Sequence, residues 1–105
     1  MSVEESRRFR ETADRQYLWL VMYRPAGEAW AWENALHAAL AGLEEDPARF
    51  SLCQDPGVQD RGLRQAPFGP RGKPTHRLIF EIDGDAVRVL TVRGFAQPDL
   101  TPDDL

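Results

Sequence analysis

Helices first and strands after: the order of elements in this 105-residue chain predicts an α+β fold. Three observations carry that reading. Phe9, Ala13, Tyr17 and Leu20 recur at spacings of four, four and three, one stripe on one helix face. Trp32, Leu36, Ala39, Leu40 and Leu43 repeat the pattern in an alanine-rich stretch. The second half then carries two runs rich in β-branched and aromatic residues, Thr75 to Ile82 and Ala86 to Arg93, joined by Asp83-Gly84-Asp85.

Each element has local support. Ser2 followed by Glu5 has the form of a capping box, so the first helix is expected to start there. Pro25 and Gly27 break the chain, because Arg24, preceding a proline, is pushed out of helical dihedrals. Two helices joined by so short a break are expected to lie antiparallel, as a hairpin over about residues 4–46. Glu44, Glu45 and Asp46 crowd the end of the second helix, where negative charge opposes the macrodipole. Residues 47–62, with Pro47, Pro56, Gly57 and Gly62, read as a loop. The sheet region covers 63–93, and Pro67 confines its first strand, Leu63 to Phe68, to an edge or a strand end.

A three-residue turn at Asp83–Asp85 is the favoured hairpin register. It pairs Ile82 with Ala86, Arg77 with Thr91 and Thr75 with Arg93. Leu78, Phe80, Ile82, Leu90 and Val92 then share the core face, with Arg77 and Arg93 opposite and Arg88 left on the core side. A two-residue turn shifts the pairing by one and sends the two arginines to different faces.

The composition excludes several classes. The length suits a single domain over 1–105. One cysteine, Cys53, excludes an internal disulfide framework and any Cys-rich zinc site, and fits a reducing compartment. The longest apolar run, Leu18 to Tyr23, is too short to span a bilayer, and no apolar segment follows the charged first ten residues. The expectation is a cytoplasmic protein with no membrane partner. The net charge of −4 hides a split: residues 1–60 carry 6 basic and 11 acidic side chains, whereas 61–93 carry 7 basic and 3 acidic. That asymmetry permits a local anion-binding patch without requiring one.

No phosphate loop, dinucleotide fingerprint, HExxH or CxxC is present, so no metal and no cofactor are expected. His37 lies off the apolar stripe of its helix and reads as a surface residue. His76, beside Arg77 on a strand, points to the other face and suits a general base only if that face is open. Arg64, Arg77 and Arg93 on strands, with Arg71 and Lys73 on the loop between two of them, form the remaining constellation. Planar guanidinium donors grip phosphate oxygens and stabilise developing negative charge. Strand arginines reaching into solvent from a sheet face satisfy the same spacing. Trp32 belongs to the core stripe, while Trp19 and Trp30 suit an interface.

Segment order adds a resemblance. A helical hairpin ending Leu43-Glu44-Glu45-Asp46-Pro47-Ala48-Arg49, followed by Gly62-Leu63-Arg64-Gln65-Ala66-Pro67-Phe68-Gly69, resembles the RelE/ParE superfamily of bacterial toxin–antitoxin toxins. The stretch from His76 to Arg93 is similar to that family's final hairpin, and the tail from Ala96 to Leu105 to those of ParE-like members. The resemblance covers about residues 13–105. It implies a helical hairpin packed on a small antiparallel sheet of three to four strands. It also implies a cognate antitoxin that wraps the toxin, with a toxin–antitoxin hetero-oligomer as the assembly. RelE-like members cut ribosome-bound mRNA without a metal, whereas ParE-like members inhibit DNA gyrase.

Carried over position by position, Arg77 and Arg93 match the arginines of the last two strands, and Arg64 one on the strand before them. In a nuclease, Arg77, Arg93 and His76 would be catalytic; Arg64, Arg71 and Lys73 would bind the target or nucleic acid. The chain departs from the family in three places. Its first ten residues read as helical or frayed where the family opens with a strand. Gly94 stands where a histidine is common, and His76 where an aromatic is usual. No tyrosine follows residue 23. With the acidic net charge, these departures favour a ParE-like toxin over a ribonuclease. A degenerate, non-toxic interaction module is the third reading.

Overall fold

A computed structural model describes all 105 residues. Two helices, α1 (Arg7–Tyr23) and α2 (Glu28–Glu45), lie on a four-stranded sheet of β1 (Ser2–Glu5), β2 (Arg64–Phe68), β3 (His76–Asp83) and β4 (Ala86–Gly94). The strand order is β1-β4-β3-β2. The α+β expectation and the helical hairpin on the sheet both hold. No helix is long and apolar enough to cross a membrane.

The start of the chain corrects the sequence reading. Ser2–Glu5 is a strand, not a helical turn, and it pairs in parallel with β4 from Ser2 opposite Ala86 to Glu5 opposite Val89. The sheet is therefore mixed rather than purely antiparallel. The expected Ser2–Glu5 capping box does not form, and helix α1 begins after Ser6. The Ser6 hydroxyl accepts from Phe9 N at 3.0 Å and donates to Leu90 O at 3.0 Å, so one side chain caps the helix and tethers it to β4. Ladder bonds along an open edge outweigh one local cap.

The hairpin turn is a second correction. Asp83 pairs with Ala86, so the turn has two residues, with Gly84 at φ +60°. Taken alone, that turn would separate Arg77 and Arg93. A bulge intervenes: Phe80 pairs with Val89 and Ile79 with Thr91, which leaves Leu90 over. Beyond it the alternation is restored, and Arg77 stands opposite Arg93. The expected pairs Ile82–Ala86, Arg77–Thr91 and Thr75–Arg93 are absent, yet the two arginines still share a face. The two-residue turn puts Val87 and Val89 into the core and turns Arg88 outward to Glu81 at 2.9 Å, while Ile82, next to the turn, is exposed.

Two apolar clusters follow from this alternation. The larger lies between helices and sheet and includes Phe9, Trp32, Leu36, Leu43, Leu78, Phe80 and Val92. The smaller, Cys53, Val58, Leu63, Ile79 and Leu100, builds on the opposite face, because Ile79 alternates with Leu78 and Phe80. Leu90 packs against this second cluster. The loop and the tail are thus a second layer over the sheet. Strand β2 is an edge, one of the two places that Pro67 allows.

Candidate functional site

The structure disperses the arginine constellation among partners within the chain. Arg77 is 8% exposed and meets Asp55, equally buried, in a two-pronged ion pair at 2.6 and 2.8 Å. Gln65 Oε1 accepts a third bond from Arg77 at 2.7 Å. Asp55 also accepts from the backbone N–H of Leu100 at 2.7 Å. One carboxylate therefore joins sheet, loop and tail. The Arg77 donors hold Asp55 far below the usual carboxylate range, against the opposing effect of burial, and Asp55 raises Arg77 in return.

Arg93 closes over the tail. Its guanidinium donates to Pro98 O at 2.8 and 3.1 Å and reaches Asp104 at 3.4 Å. A hydrogen bond from the Thr101 backbone N–H lowers the Asp104 pKa, and Arg93 adds to that shift. Arg64 donates to Phe50 O at 2.6 Å, and Arg71 pairs with Glu28 at 3.2 Å. Lys73 is exposed on the connection between β2 and β3. Arg77 and Arg93 are thus brought together, while Arg64, Arg71 and Lys73 are not gathered with them.

His76 faces a different region. Trp32 Nε1, which can only donate, lies 3.2 Å from His76 Nδ1, and the Thr75 hydroxyl is 2.8 Å from the same nitrogen. Nδ1 is therefore an acceptor and the ring proton sits on Nε2. Burial lowers the His76 pKa, which favours this neutral form. A neutral ring with Nδ1 engaged and Nε2 protonated offers no free lone pair to a general base. Burial likewise raises the Cys53 thiol, so it is not an activated nucleophile.

His76 lines a cleft of about 800 Å³ between the turn end of the helical hairpin and the sheet, shared with Arg15, Gln16, Trp19, Arg24 and Gln97. These partners lie far apart in sequence and were not read as site residues. Beside the cleft, the end of α1 and the start of α2 expose Leu18, Val21, Met22, Tyr23 and Trp30, the last at 69%. One signal was legible: Leu18, Val21 and Met22 fall off the core stripe of Phe9, Ala13, Tyr17 and Leu20, so this apolar run has more side chains than one buried face can take. No three His, Cys, Asp or Glu side chains gather as metal ligands.

A family model for the ParE toxin of type II toxin–antitoxin systems, parDE, matches residues 3–97. The chain belongs to the ParE toxin family. The match takes in β1 from Val3 on, both helices, all of the hairpin and the first residues of the tail. Membership in a type II toxin family implies a cognate antitoxin as partner. Among curated proteins none matches the chain.

Proposed function

We propose that this toxin arrests growth from the cytoplasm by gripping a protein target, with DNA gyrase the target its family implies, and that a cognate antitoxin neutralises it. The observation that carries this reading is the exposed apolar end of the helical hairpin. Leu18, Val21, Met22 and Tyr23 in the last two turns of α1, and Trp30 in the first turn of α2, are all left exposed at the end where the two helices join. Contiguous apolar patches on soluble domains mark protein contacts, and aromatic residues dominate their energetics.

The rival reading is metal-independent RNA cleavage by Arg77, Arg93 and His76. It requires Arg77 to leave a buried ion pair and His76 to exchange its tautomer. Neither is set for phosphodiester chemistry, so the protein-target reading is preferred. Pulse-labelling of DNA and protein synthesis after inducing the chain in a bacterial host tests the choice, followed by supercoiling assays with purified gyrase. Early loss of DNA synthesis and of supercoiling is expected. Early loss of protein synthesis, with RNA cleavage abolished by Arg93→Ala, would replace this reading with the nuclease. Growth with both syntheses intact would leave the interaction module.

A further inference from the structure

The cleft beside His76 has a chemistry that protein gripping does not use. Its two cations are unspent: neither Arg15 nor Arg24 has a carboxylate within ion-pair distance. Arg24 instead lies over the Trp19 ring, 5.4 Å from its centre. The one acidic side chain in the lining, Glu28, is already engaged by Arg71. Two further groups in the lining are neutral donors. Gly94 N–H binds Gln97 Oε1 at 2.6 Å, which leaves the Gln97 amide nitrogen free to donate. His76, with Nδ1 occupied by Trp32, presents its proton on Nε2. Trp19 and Leu20 supply an apolar wall.

The geometry points to a nucleotide site in this cleft, with Arg15 and Arg24 on the phosphate, Gln97 and His76 on acceptors of the base, and Trp19 against its flat face. A volume of about 800 Å³ matches the size of small-ligand clefts, which enclose an apolar body and fix it with a few polar groups. Guanidinium forks suit phosphate oxygens. Base faces gain by stacking on aromatic side chains. An acidic peptide would satisfy the arginines and offer carbonyls to the amide and imidazole donors, but it has no flat ring to set against Trp19. The nucleotide can be free or the end of a single strand, since both present the same phosphate and base.

Titration calorimetry and tryptophan quenching on the full chain test this. The probes are adenosine and guanosine 5′-monophosphate, a short single-stranded oligoribonucleotide, inorganic phosphate and a short polyglutamate peptide. Saturable binding of the monophosphates is expected, weakened at least about tenfold by the Arg15→Ala/Arg24→Ala pair, the scale of a lost charge-assisted hydrogen bond. Arg61→Ala, remote from the cleft, should leave it unchanged. Tighter binding of the oligoribonucleotide assigns the site to a strand end, and equal binding assigns it to free nucleotide. Single Arg15→Gln and Arg24→Gln variants give the same reading if the double variant melts early. The proposal is overturned if neither nucleotide nor oligonucleotide saturates at millimolar concentration. It also fails if phosphate or polyglutamate binds as well as the nucleotides, or if the arginine variants bind normally.

Discussion

The two layers that cover the sheet are held by different forces. On the helix side, Phe9, Trp32, Leu36, Leu43 and Phe80 pack with no ion pair among them, and area removed from water does the work. On the other side, a five-residue cluster is too small to hold a loop and a tail. There Asp55, Arg77 and Arg93 supply directed bonds to backbone and side chain. The comparison teaches why two arginines of a toxin-like sheet face are taken up internally. A thin apolar layer needs polar ties, and Arg77 and Arg93 are the donors on that face that reach the loop and the tail.

Breaking the central tie should have the largest effect. Asp55→Ala strands a buried guanidinium and should cost about 3–5 kcal/mol in denaturant unfolding. Hydrogen exchange should quicken first in the loop and tail, not in α1 or α2. A uniform loss across both layers would mean they are not separate. Replacing both partners by apolar residues, Asp55→Leu with Arg77→Met, should recover most of the loss, because paired removal leaves no unpaired charge.

Acid sharpens the same contrast. Asp55 has a folded pKa below its ordinary value of 3.8, so its stabilisation is complete above about pH 4 and is lost as pH falls toward the lowered value. Asp55→Asn should flatten that acid limb of the stability curve, and an unchanged limb would assign it to other groups. His76 adds a smaller effect at higher pH. Its folded pKa lies below 6.5, so the chain loses some stability as pH drops through the range where the unfolded ring takes a proton. His76→Phe should remove that step.

Smaller effects belong to the periphery. Ser6→Ala removes the α1 cap and the tie to β4, and should cost about 1 kcal/mol by thermal or denaturant melting. Arg88→Ala breaks only half-exposed pairs with Glu81 and Asp83, and should cost less than about 1 kcal/mol. A larger loss there would give surface charge a part in the second layer.

Much of this was legible in the sequence because periodicity reports burial directly. The stripes of both helices, the edge character imposed by Pro67 and the Asp-Gly hairpin all came from local patterns. The first strand was not legible. Ser2–Glu5 has one apolar residue, Val3, and owes its conformation to the open edge of β4, which lies more than eighty residues away. The bulge was equally hidden, since it answers to two layers at once: Val89 and Val92 need the helix side, and Leu90 fits the other. Arg77 and Arg93 were found by residue type and position. Their partners were not, because Asp55 and the carbonyl of Pro98 sit in segments without periodicity. The cleft residues Arg15, Arg24 and Gln97 are joined only by the fold.

Losing one residue from a strand ordinarily turns everything beyond it inside out. β4 has an exception built in. Deleting Leu90 would leave Phe80 facing Val89, Ile79 facing Thr91 and Arg77 facing Arg93, because Leu90 has no partner across the ladder. The strand would lose its kink, one apolar side chain of the second layer and the carbonyl that anchors Ser6. No neighbour would change sides. For this chain, shortening the hairpin at its middle is a gentler change than shortening it at its turn.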